Sequence, residues 1–219
     1  MLEQRDIEFQ RRTVHLEIFR PTGSGPYPVV IMLHGSGGLY TQEASIDQRD
    51  NFGEHQIASS GCVAVLVRYL DYSGVRFATP DVIQRDSRSW IRVVDAAIEF
   101  IRSLPYADNR GIAVYGESLG GYLGLAVGLK RPDVKEVFIL SGGFAEEFSP
   151  RIVNRPKVEM YHGDNDVTIP LESAKHSCTK LRSASVECRL HVLHRTGHIP
   201  SQECIQTIVA DILTTMKQK

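Results

Sequence analysis

No apolar run in the chain approaches the roughly 20 residues that a membrane-spanning helix needs. Stretches such as Val63-Ala64-Val65-Leu66-Val67 are far shorter. Neither sign of charge dominates. Lys and Arg number 25 against 26 Asp and Glu, for a net charge of -1. There is thus no basic excess to hold a nucleic acid or an anionic membrane by counterion release, and neither is expected as a partner. Cys62, Cys178, Cys188 and Cys204 form no CxxC pair, which removes zinc-ribbon and redox-motif readings. Four reduced thiols in a cytoplasmic protein are the expectation. Nothing apolar follows Met1-Leu2-Glu3-Gln4-Arg5-Asp6, so a secretory signal is not expected either. Internal repeats and low-complexity tracts are lacking. Pro21-Thr22-Gly23-Ser24-Gly25-Pro26 is the only Gly/Pro-rich stretch, early enough to be a loop between strands.

What is present is ordinary globular composition: 42% hydrophobic and 23% charged residues over 219 positions, ample for a buried core. Residues 7–9 and 13–19 read as two short strands joined by a turn near Gln10-Arg11-Arg12; Val14, Leu16 and Ile18 alternate with polar neighbours. Residues 28–33, 62–67, 112–115 and 137–140 are continuous apolar runs, as in strands buried on both faces. Residues 157–161 and 186–193 read as further strands. Between them lie helical patterns. Over 80–104, Trp90, Val93, Val94, Ala97, Ile98, Ile101 and Leu104 paint one apolar stripe. Thr79 is placed to cap that helix and Pro80 suits its first position. Residues 118–130, 170–183 and 201–217 are the other helix candidates. Strand alternating with helix predicts an α/β fold: a mostly parallel sheet of about eight strands, an antiparallel N-terminal edge, and helices on both faces. The expectation is one domain over 1–219 with no lid domain. Function in such sheets sits at the C-terminal strand ends.

Four of those ends carry chemistry. Gly116-Glu117-Ser118-Leu119-Gly120-Gly121 is a G-x-S-x-G pattern between a strand and a helix. Glycines there permit a sharp turn that lifts the serine hydroxyl above the sheet. His34-Gly35-Ser36-Gly37-Gly38 offers backbone N–H groups which, with that of Leu119, suit a developing oxyanion. Ser36 is the first choice for the loop's donor and Gly37 the alternative; His34 reads as structural. A nucleophilic serine needs a base, and the base needs an orienting carboxylate. Of eight histidines, His198 lies in Thr196-Gly197-His198-Ile199-Pro200, between the last strand and the last helix, and His194 is the runner-up. His15, taken to sit on an edge strand, and His176, within a helix, read as surface residues. His162-Gly163-Asp164-Asn165-Asp166-Val167-Thr168-Ile169-Pro170 supplies two carboxylates.

With these motifs in this order the chain resembles the α/β-hydrolase superfamily, within it the dienelactone-hydrolase-like and small carboxylesterase group, over nearly its whole length. Serine, then aspartate, then histidine is the superfamily's chain order. The resemblance implies nucleophile Ser118, acid Asp166 with Asp164 left as a turn residue, base His198, and an oxyanion hole at Leu119 and the 34–38 loop. Dienelactone hydrolases carry cysteine at the elbow; Ser118 stands there in this chain, which favours ordinary esters as substrates.

The reaction expected is acyl transfer from a small or medium soluble ester or thioester to water, with no metal and no organic cofactor. A peptidase of the same fold and a catalytically silent binding protein are the alternatives. Leu39, Tyr40, Tyr69, Arg76 and Phe144 are the expected pocket walls. Arg68 and Arg76 stand near enough to raise the question of an anionic substrate. Oligomeric state is not legible.

Overall fold

The computed structural model describes residues 1–39, 52–146, 148 and 151–217. Its strands are β1 (Leu2–Phe9), β2 (Arg12–Phe19), β3 (Tyr27–Leu33), β4 (Val63–Val67), β5 (Ala107–Glu117), β6 (Val134–Leu140), β7 (Lys157–Gly163) and β8 (Cys188–Leu193). The helices are α1 (Glu54–Ser59), α2 (Pro80–Arg102), α3 (Leu119–Lys130), α4 (Leu171–Ser183) and α5 (Gln202–Lys217). All eight strands join one sheet in the order β1-β2-β4-β3-β5-β6-β7-β8. Only β2 runs against its neighbours, pairing antiparallel with β1 and with β4. His15 on β2 is therefore inside the sheet and not on its edge. Its side chain is half-exposed, and its Nδ1 lies 2.7 Å from Asp71 Oδ2.

The continuous apolar strands divide their side chains between two cores, because successive residues point to opposite faces. Val29, Ile31, Leu33, Val65 and Val114 pack with α2, α3 and α4. Val30, Met32, Leu66, Ala113 and Tyr115 pack with α1 and α5. The α2 stripe is buried as its spacing requires, with Trp90, Val94, Ala97 and Ile98 fully covered. Thr79 precedes it in extended backbone, but its hydroxyl makes no capping bond. Helix α3 is apolar all round and almost wholly buried, so it serves as a core element under the site.

One expectation fails in the cysteines. Cys178 on α4 and Cys188 on β8 are joined by a disulfide, their Cα atoms 5.6 Å apart; Cys62 and Cys204 are free. The two thiols are distant from the metal and redox spacings that sequence can flag, and only the fold brings them together. Cysteine usage therefore gives no argument for a reducing compartment. Among the described residues no helix is long and apolar enough to cross a membrane.

The strand order fixes where a site can form. The chain passes from β3 outward to β4, then back across β3 to β5. Connections leave in opposite directions from β3 and β5, opening a crevice at their carboxyl ends. Those ends carry the 34–38 loop and Ser118.

Candidate active site

Ser118 is held at φ 49° and ψ -117°, a strained conformation for a residue with a side chain. The strain is supported by tight packing around it. A Cβ on Gly116 would lie 2.3 Å from the Gly120 carbonyl oxygen, and one on Gly120 would lie 2.1 Å from that of Leu33. No larger residue fits either place, which is why the elbow has glycines there. The Ser118 N–H donates to the Leu140 carbonyl at 2.8 Å, tying the turn to β6.

The loop after β7 delivers Asp166, whose carboxyl is fully buried. Its Oδ1 accepts the N–H groups of Thr168 (2.9 Å) and Ile169 (2.8 Å). Its Oδ2 lies 2.8 Å from His198 Nδ1. Burial alone would raise this carboxyl's pKa, but the Ile169 N–H, His198 and the Thr168 N–H outweigh it and hold it below the usual aspartate value. His198 Nε2 lies 3.1 Å from Ser118 Oγ. Three side chains from the ends of β5, β7 and β8 thus form one hydrogen-bonded chain. Asp164, by contrast, turns outward. Its Oδ2 meets His194 Nδ1 at 3.0 Å and its Oδ1 accepts the Arg195 N–H at 2.7 Å. The runner-up imidazole, His194, is therefore occupied with a surface loop and not with the serine.

Leu119 is the first residue of α3, so its N–H has no partner within the helix. It lines, with Ser118 and Ser36, a cavity of about 740 Å³. The Ser36 carbonyl accepts the Ala78 N–H at 2.7 Å, which fixes the loop over the crevice. Gly37, the alternative donor, does not line that cavity. Gly35 brings the loop so close that its Cβ would touch Ser118 Cβ at 3.4 Å. His34 is structural as expected. It is buried, stacked on Tyr69 at 4.2 Å, and its Nδ1 donates to the Gly35 carbonyl. Burial pushes its pKa down to about 4, so it is neutral near pH 7.

The expected pocket walls fare differently. Phe144 lines the cavity beside Ser118. Tyr69 does not: it is fully buried in a short 3-10 turn, Tyr69–Ser73, and its hydroxyl donates to the His34 carbonyl at 2.7 Å. Leu39 is buried, and with Arg68 and Arg76 it lines a separate recess of about 70 Å³. The 3-10 turn buries Tyr69 beneath the 34–38 loop, and the two arginines on either side of it line this separate recess and not the cavity at Ser118. Tyr40 lies outside the described residues.

Two site residues are visible only in three dimensions. His162 is fully buried at the end of β7, and its Nε2 lies 2.7 Å from the Ile169 carbonyl and 3.3 Å from Asp166 Oδ2. A carbonyl can only accept, so Nε2 carries the proton and donates it to Ile169, the residue whose own N–H binds Asp166 Oδ1. Its place four residues before Asp166 in the motif was the available signal. Glu117, beside the serine, has its carboxyl pKa raised by burial, partly offset by His198.

A serine on a strained strand-to-helix turn, backed by an imidazole and a buried aspartate at the crevice of a mostly parallel sheet, defines the α/β-hydrolase superfamily. The model of the dienelactone hydrolase family matches residues 15–199, and the chain belongs to that family. Acyl-coenzyme A thioesterase 1 of Mus musculus is 25% identical over 181 residues, 77% of this chain and 39% of that protein. The chain thus spans about two fifths of the length of that relative. Dienelactone hydrolase from Anabaena variabilis superposes with a TM-score of 0.71 at 16% identity, over 99% of this chain and 96% of the other. Est1E from Butyrivibrio proteoclasticus gives 0.75 at 13% identity, over 99% of both chains.

Proposed function

We propose that the protein is a serine hydrolase that cleaves carboxylic ester or thioester bonds of small to medium substrates through an acyl-serine. The observation that carries the reading is the continuous chain from Ser118 Oγ to His198 Nε2 (3.1 Å) and from His198 Nδ1 to Asp166 Oδ2 (2.8 Å). Asp166 can only accept while ionised, so Nδ1 keeps its proton and Nε2 presents a lone pair to the serine. As Oγ attacks the carbonyl carbon, its proton passes to Nε2. The carbonyl oxygen gains the negative charge, which the N–H groups of Leu119 and Ser36 stabilise. The imidazolium then returns the proton to the leaving alcohol or thiol. Water repeats the sequence on the acyl-serine and releases the acid. Ser36 is preferred to Gly37 as second donor because it alone shares the cavity with Ser118 and Leu119.

Membership of the dienelactone hydrolase family and the likeness to a thioesterase support the reaction class. The test is labelling by a fluorophosphonate probe together with hydrolysis of p-nitrophenyl acetate. Wild type should do both and Ser118→Ala neither. An unlabelled wild-type protein without turnover would make this a binding protein that uses the same crevice.

A further inference from the structure

The cavity beside Ser118 has a polarity that assigns it to one half of the substrate. Its described walls include the serine and both preferred oxyanion donors, but not His198. The leaving group must receive its proton from His198 and so departs on the imidazole side. The part of the ester that remains on Ser118 is therefore the part that enters the cavity.

The walls also state what that acyl group is made of. Tyr122, Phe144 and Phe148 present rings, Tyr122 and Phe148 meeting edge to face at 6.1 Å; Ile83 and Ile169 complete the apolar surface. No lysine or arginine is among the described lining residues. Lys175 pairs with Glu172 at 2.7 Å, and Lys180 pairs with Glu146. Arg68 and Arg76, the cations that the sequence offered to an anion, face the other recess. Glu172 is the carboxylate among the described lining residues, and its pairing with Lys175 leaves no free cation on that side of the wall. A carboxylate on the acyl group would shed water against described walls that hold no lysine or arginine, with His176 their single imidazole, whereas a ring would replace water on apolar walls.

We infer that this cavity is an acyl site selective for uncharged, ring-bearing or otherwise bulky apolar acyl groups, and that it rejects acyl groups carrying a carboxylate. The inference rests on the hydrolase reading above. The experiment measures kcat/KM for p-nitrophenyl acetate, hexanoate, phenylacetate and hydrogen adipate, the last matching hexanoate in chain length with a carboxylate in place of the terminal methyl. Phenylacetate and hexanoate should each exceed hydrogen adipate at least tenfold, and phenylacetate should exceed acetate. In Phe144→Ala the phenylacetate-to-acetate ratio should fall at least fivefold, chiefly through KM; a general loss of structure would lower both esters together and leave the ratio alone. Acetate turnover with hydrogen adipate equal to or better than hexanoate overturns the acyl assignment and leaves the hydrolase standing. No turnover of any ester and no probe labelling of Ser118 overturns both. The wild-type panel decides the matter even if the variant does not fold.

Discussion

Replacing Asp166 by Asn tests the triad where the structure leaves it least freedom. The exchange keeps size and removes charge. In the native loop Oδ1 accepts two backbone N–H groups, from Thr168 and Ile169. The amide oxygen must take that position, since turning the NH₂ toward those donors would leave both unpaired at about 1–3 kcal/mol each. The amide nitrogen is thereby forced to the Oδ2 position, 2.8 Å from His198 Nδ1. His198 must then offer its Nδ1 lone pair to the amide, and its proton moves to Nε2. Nε2 now faces Ser118 Oγ with a proton and cannot act as base. The same tautomer reversal in the chymotrypsin triad lowers kcat about 10⁴-fold. That corresponds to about 5.4 kcal/mol of transition-state stabilisation, at ~1.36 kcal/mol per tenfold. A comparable fall in kcat for p-nitrophenyl acetate is expected, with KM changed little and the Tm close to wild type. Asp164→Asn is the matched control. It touches only His194 and the Arg195 N–H at the surface, and kcat should stay within about twofold. An Asp166→Asn enzyme that keeps more than a tenth of wild-type kcat, or an Asp164→Asn enzyme that loses as much, would refute the assignment.

Three further outcomes follow from the same geometry. Gly120→Ala drives a methyl group into the Leu33 and His34 carbonyl oxygens, at 2.1 and 2.6 Å, so a loss of about 3 kcal/mol is expected; a thermal melt should show Tm lower by about 6–12 °C, and an unchanged Tm would mean the elbow has room. His162→Phe leaves the Ile169 carbonyl without its side-chain donor and so loosens the residue whose N–H holds Asp166 Oδ1. It should lower kcat about tenfold, the effect of roughly 1.4 kcal/mol, and a kcat equal to wild type would show that His162 only fills space. Glu117 holds its proton more tightly folded than unfolded, so its ionisation opposes folding as pH rises through and above the ordinary carboxylate range. Glu117→Gln cannot ionise. The Tm of the variant relative to wild type should therefore increase between pH 4 and pH 8, and a difference that is flat or falls with pH would contradict the burial of that carboxyl.

The central strands and α2 were legible because their signals are local: continuous apolar runs and a seven-residue stripe from Trp90 to Leu104 that no other period fits. Helix α1 was missed because six residues, Glu54–Ser59, are too few to establish a period. Motif order and strand ends pointed to Ser118, Asp166 and His198, the residues that the geometry joins in one hydrogen-bonded chain, because each lies in the turn or loop that follows a strand at one rim of the sheet. The pocket walls did not follow. Sequence shows that Tyr69 and Arg76 succeed β4, but not that a 3-10 turn sends the tyrosine under His34 and the arginine into a separate recess. The cysteine pairing was hidden for the same reason, since 10 intervening positions say nothing of a 5.6 Å approach between α4 and β8.

Because neighbouring residues of β3, β4 and β5 serve different cores, adding or deleting one residue inside any of them would exchange the two interiors at a stroke. A change of length can be absorbed only in the connections, and the one after β6 carries Phe144 and Phe148 at the cavity beside Ser118. A change in that connection would therefore reshape the cavity wall while the scaffold that aims Ser118 stays in register.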